Sequence, residues 1–170
     1  MQTKGTPDSL LTGIQRSLII DRVLAQGATL VSFIAPAGYG KTQTMSQLRN
    51  AFMAQGMDTP WLSLERHDND PQRFLSFLRK VLSCATGPDQ IEPFGLTVSN
   101  SQPVAIFLDD FELIDGGSLP EIVLNLLGQL PLGSRLVIGS RRKLRMGLAK
   151  LKLQGAVLEF NDQDLQFSKE

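Results

Sequence analysis

Residues 30–42 read Leu-Val-Ser-Phe-Ile-Ala-Pro-Ala-Gly-Tyr-Gly-Lys-Thr, an apolar run that breaks on two glycines and enters a helical repeat at a lysine. Few folds tolerate that succession. The apolar run has the length of a buried strand, and the glycines allow backbone conformations that a Cβ forbids. Turned that way, several N–H groups of Ala37, Gly38, Tyr39 and Gly40 can point at one spot. The helix beginning near Lys41 adds the positive end of its dipole. The usual phosphate-loop pattern is G-x-x-x-x-G-K-[ST]; here Ala35 stands where its first glycine would be. The chemistry survives that change. Lys41 is placed to bridge β- and γ-phosphates, and the Thr42 hydroxyl to ligate Mg²⁺. A Gly-rich turn carrying an incidental lysine is the bland alternative, and Gly-Lys-Thr at a strand-to-helix junction is too specific for it. Ala37, Gly38, Tyr39, Gly40, Lys41, Thr42 and Gln43 form the candidate nucleotide-binding set.

Five apolar runs have the length and flanks of strands: 30–35, 61–64, 104–108, 136–139 and 156–160. Helical periodicity fills the gaps at 42–55, 71–84 and 118–130, and more weakly at 143–152, with a short leading helix over 18–24. Strands that alternate with helices pair in parallel through right-handed crossovers. The expected fold is therefore α/β, a P-loop three-layer sandwich with a mostly parallel five-stranded sheet and helices on both faces. Residues 1–17 form a polar N-terminal arm, 18–167 the nucleotide-binding domain, and 168–170 the start of a following helix that Ser168 could cap. Residues 86–102, with Pro88, Pro93 and Gly95, read as a long loop.

A second motif tests the first. Val104-Ala105-Ile106-Phe107-Leu108-Asp109-Asp110 is an apolar strand ending in two carboxylates, the Walker B form. Asp109 is the candidate Mg²⁺ ligand alongside Thr42, at the carboxyl edge of the sheet where ligands collect in open α/β folds. Asp110 is placed to orient or deprotonate an attacking water. Alone, two acids after a strand serve equally well as a turn and a helix cap; 68 residues downstream of Lys41, the functional reading prevails. A third strand ends in Ser140-Arg141, and Arg141 is the second catalytic candidate, a sensor of the γ-phosphate. Arg142 and Lys143 are expected to face solvent.

Charge balance excludes some classes. Seventeen Lys and Arg offset seventeen Asp and Glu, which argues against a polybasic nucleic-acid binder. The charge is uneven in place: five acids and no base from Asp109 to Glu121, seven bases and no acid from Ile122 to Leu158. Ordinary solvated faces explain this, and so does convergence of both segments on one phosphate site. The single Cys84 gives no internal disulfide, no apolar run is long enough for a membrane span, and no secretory signal opens the chain. A cytoplasmic location without membrane contact is expected.

With these residues in place, the chain resembles the nucleotide-binding core of the STAND ATPases, and within them the large LuxR-type transcriptional regulators. The resemblance rests on A-P-A-G-Y-G-K-T at 35–42, W-L-S-L-E at 61–65, D-N-D-P-Q-R-F-L at 68–75, F-L-D-D-F-E-L-I at 107–114, L-P-L-G-S-R-L-V-I-G-S-R at 130–141, L-A-K-L at 148–151 and D-L-Q-F-S at 164–168. It covers most of 18–170, and Ala35 is typical of the group. It implies an ATP-dependent switch that rests with ADP, exchanges it for ATP, self-associates through this domain, and resets by slow Mg²⁺-dependent hydrolysis. It also implies base or ribose contacts near Arg16. The family's sensor and DNA-binding regions lie outside these motifs, so no direct DNA binding is expected here, and the chain reads as a truncated core or a minimal relative. Where longer relatives carry a further amphipathic helix, residues 86–102 are short and polar, which would leave part of the sheet less well covered.

Other residues have plainer readings. Tyr39 either touches nucleotide or packs, Trp61 packs, Cys84 is buried on an apolar helix face, and His67 lacks the Cys or His neighbours of a metal site. Two other functions stay open from the residues: an interaction module that binds nucleotide without useful hydrolysis, and a free-standing P-loop kinase.

Overall fold

A computed structural model describes residues 16–86, 102–114 and 117–166. The elements run α1 (Ser17–Gln26), β1 (Leu30–Ile34), α2 (Lys41–Ala54), β2 (Trp61–Ser63), α3 (Pro71–Thr86), β3 (Ala105–Asp109), α4 (Leu119–Gln129), β4 (Arg135–Ser140), α5 (Ala149–Leu153), β5 (Val157–Phe160) and α6 (Asp162–Leu165). Two short 3-10 turns, Arg66–Asn69 and Phe111–Leu113, follow β2 and β3. The strands form one sheet in the order β2-β3-β4-β1-β5, and every registered pair is parallel.

Alternation along each strand sends side chains to opposite faces, and two cores result. On one face Leu62, Ile106, Leu108, Leu136 and Ile138 meet Phe74 and Leu78 of α3 and Leu119, Val123 and Leu126 of α4. On the other, Val31, Phe33, Phe107, Val137 and Phe160 meet Met45, Leu48 and Phe52 of α2, Val23 of α1 and Leu165 of α6. Helices therefore cover both faces, and the β2–β3 part of the sheet is buried under α3 and α4. Trp61 packs as expected, stacked on Phe107 with ring centroids 5.2 Å apart. Among the described residues no helix is long and apolar enough to cross a membrane.

Two expectations need correction. The helix read over 143–152 is only Ala149–Leu153. Its first half is irregular: the Ser140 hydroxyl donates to the Arg142 carbonyl and accepts the Arg142 N–H, turning the chain as it leaves β4. Leu144, Met146 and Leu148 then pack inward onto the α3/α4 core at alternating positions, a spacing that imitates a helix in sequence. The polar arm ends earlier than read, since α1 already includes Ser17. The loop at 87–101, the Cys84 side chain and residues 168–170 lie outside what is described.

The chain positions its first and third strands for joint work. β1 and β3 are separated by β4, about 9.5 Å from one another at ordinary strand spacing. Anything bridging them must pass over β4, and the residue there is Gly139. A Cβ on Gly139 would lie 2.5 Å from Asp109 Oδ1 and 2.6 Å from Met45 Sδ, distances at which something must move. Met45 is fully buried and Asp109 nearly so, so neither can yield cheaply. Gly139→Ala is thus expected to destabilise the chain by about 1–3 kcal/mol, the usual cost of overpacking. Relief of unfolded-state entropy would give the opposite sign. Urea unfolding decides: a stabilised variant would contradict this account of the crowding.

Candidate nucleotide-binding site

The site assembles at the carboxyl ends of β1, β3 and β4. After β1 the chain turns through Gly38 (φ 87°) and Gly40 (φ 75°), both in the left-handed region open to glycine, and enters α2 at Lys41. No side chain caps α2, so the N–H groups of its first turn emerge without a side-chain acceptor. The Lys41 ammonium folds back across the loop and donates to the carbonyls of Ala35 (2.6 Å) and Pro36 (2.9 Å). Burial pushes the Lys41 pKa down; Glu112 and then Asp109 oppose that shift, Arg141 adds to it, and Asp110 opposes it weakly. Tyr39 is half-buried against the α2-side core, which supports its packing reading.

Across β4, the Thr42 hydroxyl donates to Asp109 Oδ2 at 2.6 Å. The two Mg²⁺ candidates, 67 residues apart in sequence, are therefore in direct contact. Among the described residues no cluster of three or more His, Cys, Asp or Glu side chains could enclose a cation. One hydroxyl and one carboxylate beside a loop of backbone N–H groups fit Mg²⁺, which commonly takes one or two carboxylates and completes its shell with water and phosphate oxygens.

Asp110 is the one non-glycine with positive φ (57°) among the described residues. Its N–H donates to Asp109 Oδ1 at 3.0 Å, so the turn that strains Asp110 also braces its neighbour. The Asp110 carboxylate accepts no hydrogen bond from a described residue. Its pKa is pushed above the usual carboxylate range, first by burial and then by the negative charges of Asp109 and Glu112, against the pull of Arg141 and Lys41. Three carboxylates against two cations leave this group formally negative, a balance that favours a cation-bearing anion over a bare one.

Arg141 follows β4 as expected, and it is held by a residue that the sequence reading passed over. Glu112, in the 3-10 turn after β3, is 7% exposed. Its Oε1 lies 3.1 Å from Arg141 Nε, and its Oε2 accepts the Arg141 N–H at 2.9 Å. Arg142 is exposed, as expected, yet its guanidinium also donates to the Glu112 carbonyl at 3.3 Å. Convergence of the acidic and basic segments is real but narrow. It rests on Arg141 and Arg142, whereas Lys152 pairs with Glu159 at 2.6 Å on the α5 side and Arg135 sits at the opposite end of β4. The signal that could have revealed Glu112 is that same acid-to-base segregation, read residue by residue.

Arg16 joins the loop from another direction. Its backbone N–H donates to Gln47 of α2 (2.9 Å), and its guanidinium to the carbonyls of Leu165 (2.6 Å) and Tyr39 (3.5 Å). A Cβ on Gly40 would stand 3.7 Å from that guanidinium. Gln43 opens the first turn beside it, its Oε1 3.9 Å from the same point. Ala37 lies exposed at the tip of the turn. His67 sits between Glu65 (3.2 Å) and Asp68 (3.7 Å) in the exposed turn after β2.

No family model matches the chain. It is 28% identical over 179 aligned positions to the HTH-type transcriptional regulator MalT of Serratia proteamaculans, covering 91% of this chain and 19% of that protein. With MalT of Vibrio cholerae the identity is 29%, over 96% of this chain and 20% of the relative. The chain thus spans about one fifth of the length of the curated relatives it matches, and the resemblance to the LuxR-type regulators is borne out. Among solved structures, a DNA replication initiation factor superposes with a TM-score of 0.58 at 17% identity, over 90% of this chain and 48% of that one. PCH-2 of C. elegans superposes with a TM-score of 0.52 at 12% identity, over 85% and 41%. These neighbours agree with the α/β P-loop architecture read from the sequence.

The raised Asp110 pKa fixes a sign. Between the unfolded and folded pKa values the folded chain binds more protons, so stability falls as pH rises through that window and the cost is carried at neutral pH. Asparagine removes the charge and adopts the left-handed conformation readily. Asp110→Asn should therefore stabilise the chain slightly at neutral pH, by less than about 1 kcal/mol because solvent screens this partly exposed group, with a smaller gain in acid where the native carboxyl is already protonated. Denaturant titrations at the two pH values measure this; destabilisation at neutral pH would contradict it.

Proposed function

We propose that this chain is a nucleotide-binding regulatory ATPase domain, a switch that holds ATP or ADP with Mg²⁺ and hydrolyses slowly. The observation that carries the reading is the 2.6 Å contact between Thr42 and Asp109 beside the Lys41 ammonium. A hydroxyl and a carboxylate brought together from two strand ends, next to a cation and an uncapped helix, are the parts that a Mg²⁺–polyphosphate requires. In this reading Ala37, Gly38, Tyr39 and Gly40 cradle the phosphates through backbone N–H groups, and the N–H groups of Thr42 and Gln43 extend the cradle. Lys41 leaves the Ala35 and Pro36 carbonyls for the β- and γ-phosphates. Mg²⁺, when bound, neutralises phosphate charge, and Thr42 and Asp109 are the side chains that hold it.

Asp110 is the water-orienting carboxylate. Its half-buried position beside Asp109, and a pKa raised by burial and by the neighbouring carboxylates, suit a group that orients or accepts a proton from water. Arg141 is the candidate reader of the terminal phosphate. Slow turnover fits a site in which Lys41 and Arg141, its candidate cations among the described residues, both make hydrogen bonds to the protein itself.

The relatives' designation as HTH-type transcriptional regulators supports placing the switch in transcription control; self-association is the output proposed for it. Among the described residues no two α-helices are consecutive, whereas a helix-turn-helix requires such a pair.

Equilibrium binding of ATP and ADP with Mg²⁺, together with phosphate release, tests the proposal on three chains. Lys41→Ala should weaken nucleotide binding about tenfold to a hundredfold, the worth of lost charge-assisted contacts. Asp110→Asn should keep nucleotide and release phosphate at least about a hundredfold more slowly. Binding that ignores Lys41 would sink the switch reading. Lys41-dependent binding without phosphate release would favour an interaction module, and a phosphorylated small molecule among the products a kinase.

A further inference from the structure

We propose that Glu112 is the positioning residue that aims Arg141 at the terminal phosphate of a bound nucleoside triphosphate, so that the Glu112–Arg141 pair sets the preference for triphosphate over diphosphate. This rests on the nucleotide-switch reading above and adds to it a residue with no assigned role.

The geometry of the pair separates aiming from simple neutralisation. A carboxylate paired with arginine frequently takes the guanidinium fork with two parallel N–H bonds. Glu112 instead spends one oxygen on Nε (3.1 Å) and the other on the backbone N–H of the same residue (2.9 Å). Arg141 is thereby held at its backbone and at the root of its guanidinium. Its outer Nη groups make no hydrogen bond to a described residue, and its side chain is 57% exposed while that of Glu112 is 6% exposed. A guanidinium fixed behind and open in front presents a donor face to an anion.

Glu112 is itself rigidly placed. Phe111 beside it is fully buried, the 3-10 turn Phe111–Leu113 fixes its backbone, and Arg142 donates to its carbonyl. Its charge reaches the phosphate loop as well, for it opposes the desolvation of the Lys41 ammonium more than Asp109 does. The aimed guanidinium and the loop lysine thus belong to one electrostatic neighbourhood, where a γ-phosphate would meet both and a diphosphate would lack the group that Arg141 reads.

Calorimetric titration of the 170-residue chain with Mg²⁺ and either ADP or a non-hydrolysable ATP analogue tests this, using Arg141→Ala, Glu112→Ala, Glu112→Gln and the Arg141→Ala/Glu112→Ala double variant. Arg141→Ala and Glu112→Ala should each weaken the ATP analogue about tenfold and ADP less than about twofold, on the scale of one charge-assisted hydrogen bond. The double variant should lose no more than either single one. Glu112→Gln keeps the volume and one acceptor, and should fall between wild type and Glu112→Ala; it decides on the same ratio should Glu112→Ala fail to fold. Equal weakening of both nucleotides would make Glu112 merely structural and overturn the proposal. So would additive losses in the double variant, or tighter binding of the ATP analogue, which would mean that Glu112 restrains Arg141. If wild type binds neither nucleotide, the underlying switch reading falls together with this one. Binding that depends on Lys41 but ignores Glu112 removes this proposal alone.

Discussion

The Thr42–Asp109 hydrogen bond is the constraint around which the rest of the site is arranged. It joins the first turn of α2 to the end of β3 over a strand that belongs to neither. Three conditions must hold together. β4 must offer no side chain at Gly139, α2 must lie close enough for Met45 to fill the space beneath, and Asp109 must present one oxygen to Thr42 while the other accepts the Asp110 N–H. Each condition is local, and each fails if the sheet order changes. With β1 and β3 adjacent there would be no gap to cross; with another strand between them the hydroxyl could not reach.

That arrangement also sets the electrostatics. Asp109 is 3% exposed, a position at which a carboxylate needs partners, and it has two. Asp110, one residue on, is partly buried beside Asp109 and Glu112, and burial first and then those negative charges raise its pKa. The left-handed turn at Asp110 brings its own N–H onto Asp109 Oδ1, so the strained residue supplies one of the two partners its neighbour needs.

Much of this was open to reading from sequence because it is written in short stretches. The parallel sheet followed from apolar runs alternating with helical periods, and the phosphate loop and double-acid strand end are contiguous motifs. What stayed hidden depends on pairs of distant residues. Glu112 looks like any acid in an acidic segment until β4 brings Arg141 beside it. Gly139 looks like a weak point in a strand until Asp109 and Met45 close on it. The false helix over 143–148 shows the converse: Leu144, Met146 and Leu148 have apolar spacing that suits either state, and the Ser140 turn, which periodicity does not see, decided it. Local pattern specifies elements, while the site's finer geometry arises where elements meet.

Arg16 extends that logic beyond the catalytic group. The resemblance suggested base or ribose contacts near it, and its guanidinium stands beside Gly40 at the back of the phosphate loop. Yet its hydrogen bonds go to Tyr39 of that loop and to Leu165 at the end of α6, while its backbone holds Gln47 of α2. One side chain thus ties the first helix and the last described helix to the loop between them, with Arg22 over the Phe160 ring at 5.3 Å as a second tie between α1 and β5. The loop is thus anchored to both helices. Because these bonds end on backbone carbonyls, the coupling depends on the path of the chain more than on the side chains at Tyr39 or Leu165, and it survives substitution there more readily than substitution of Arg16 itself.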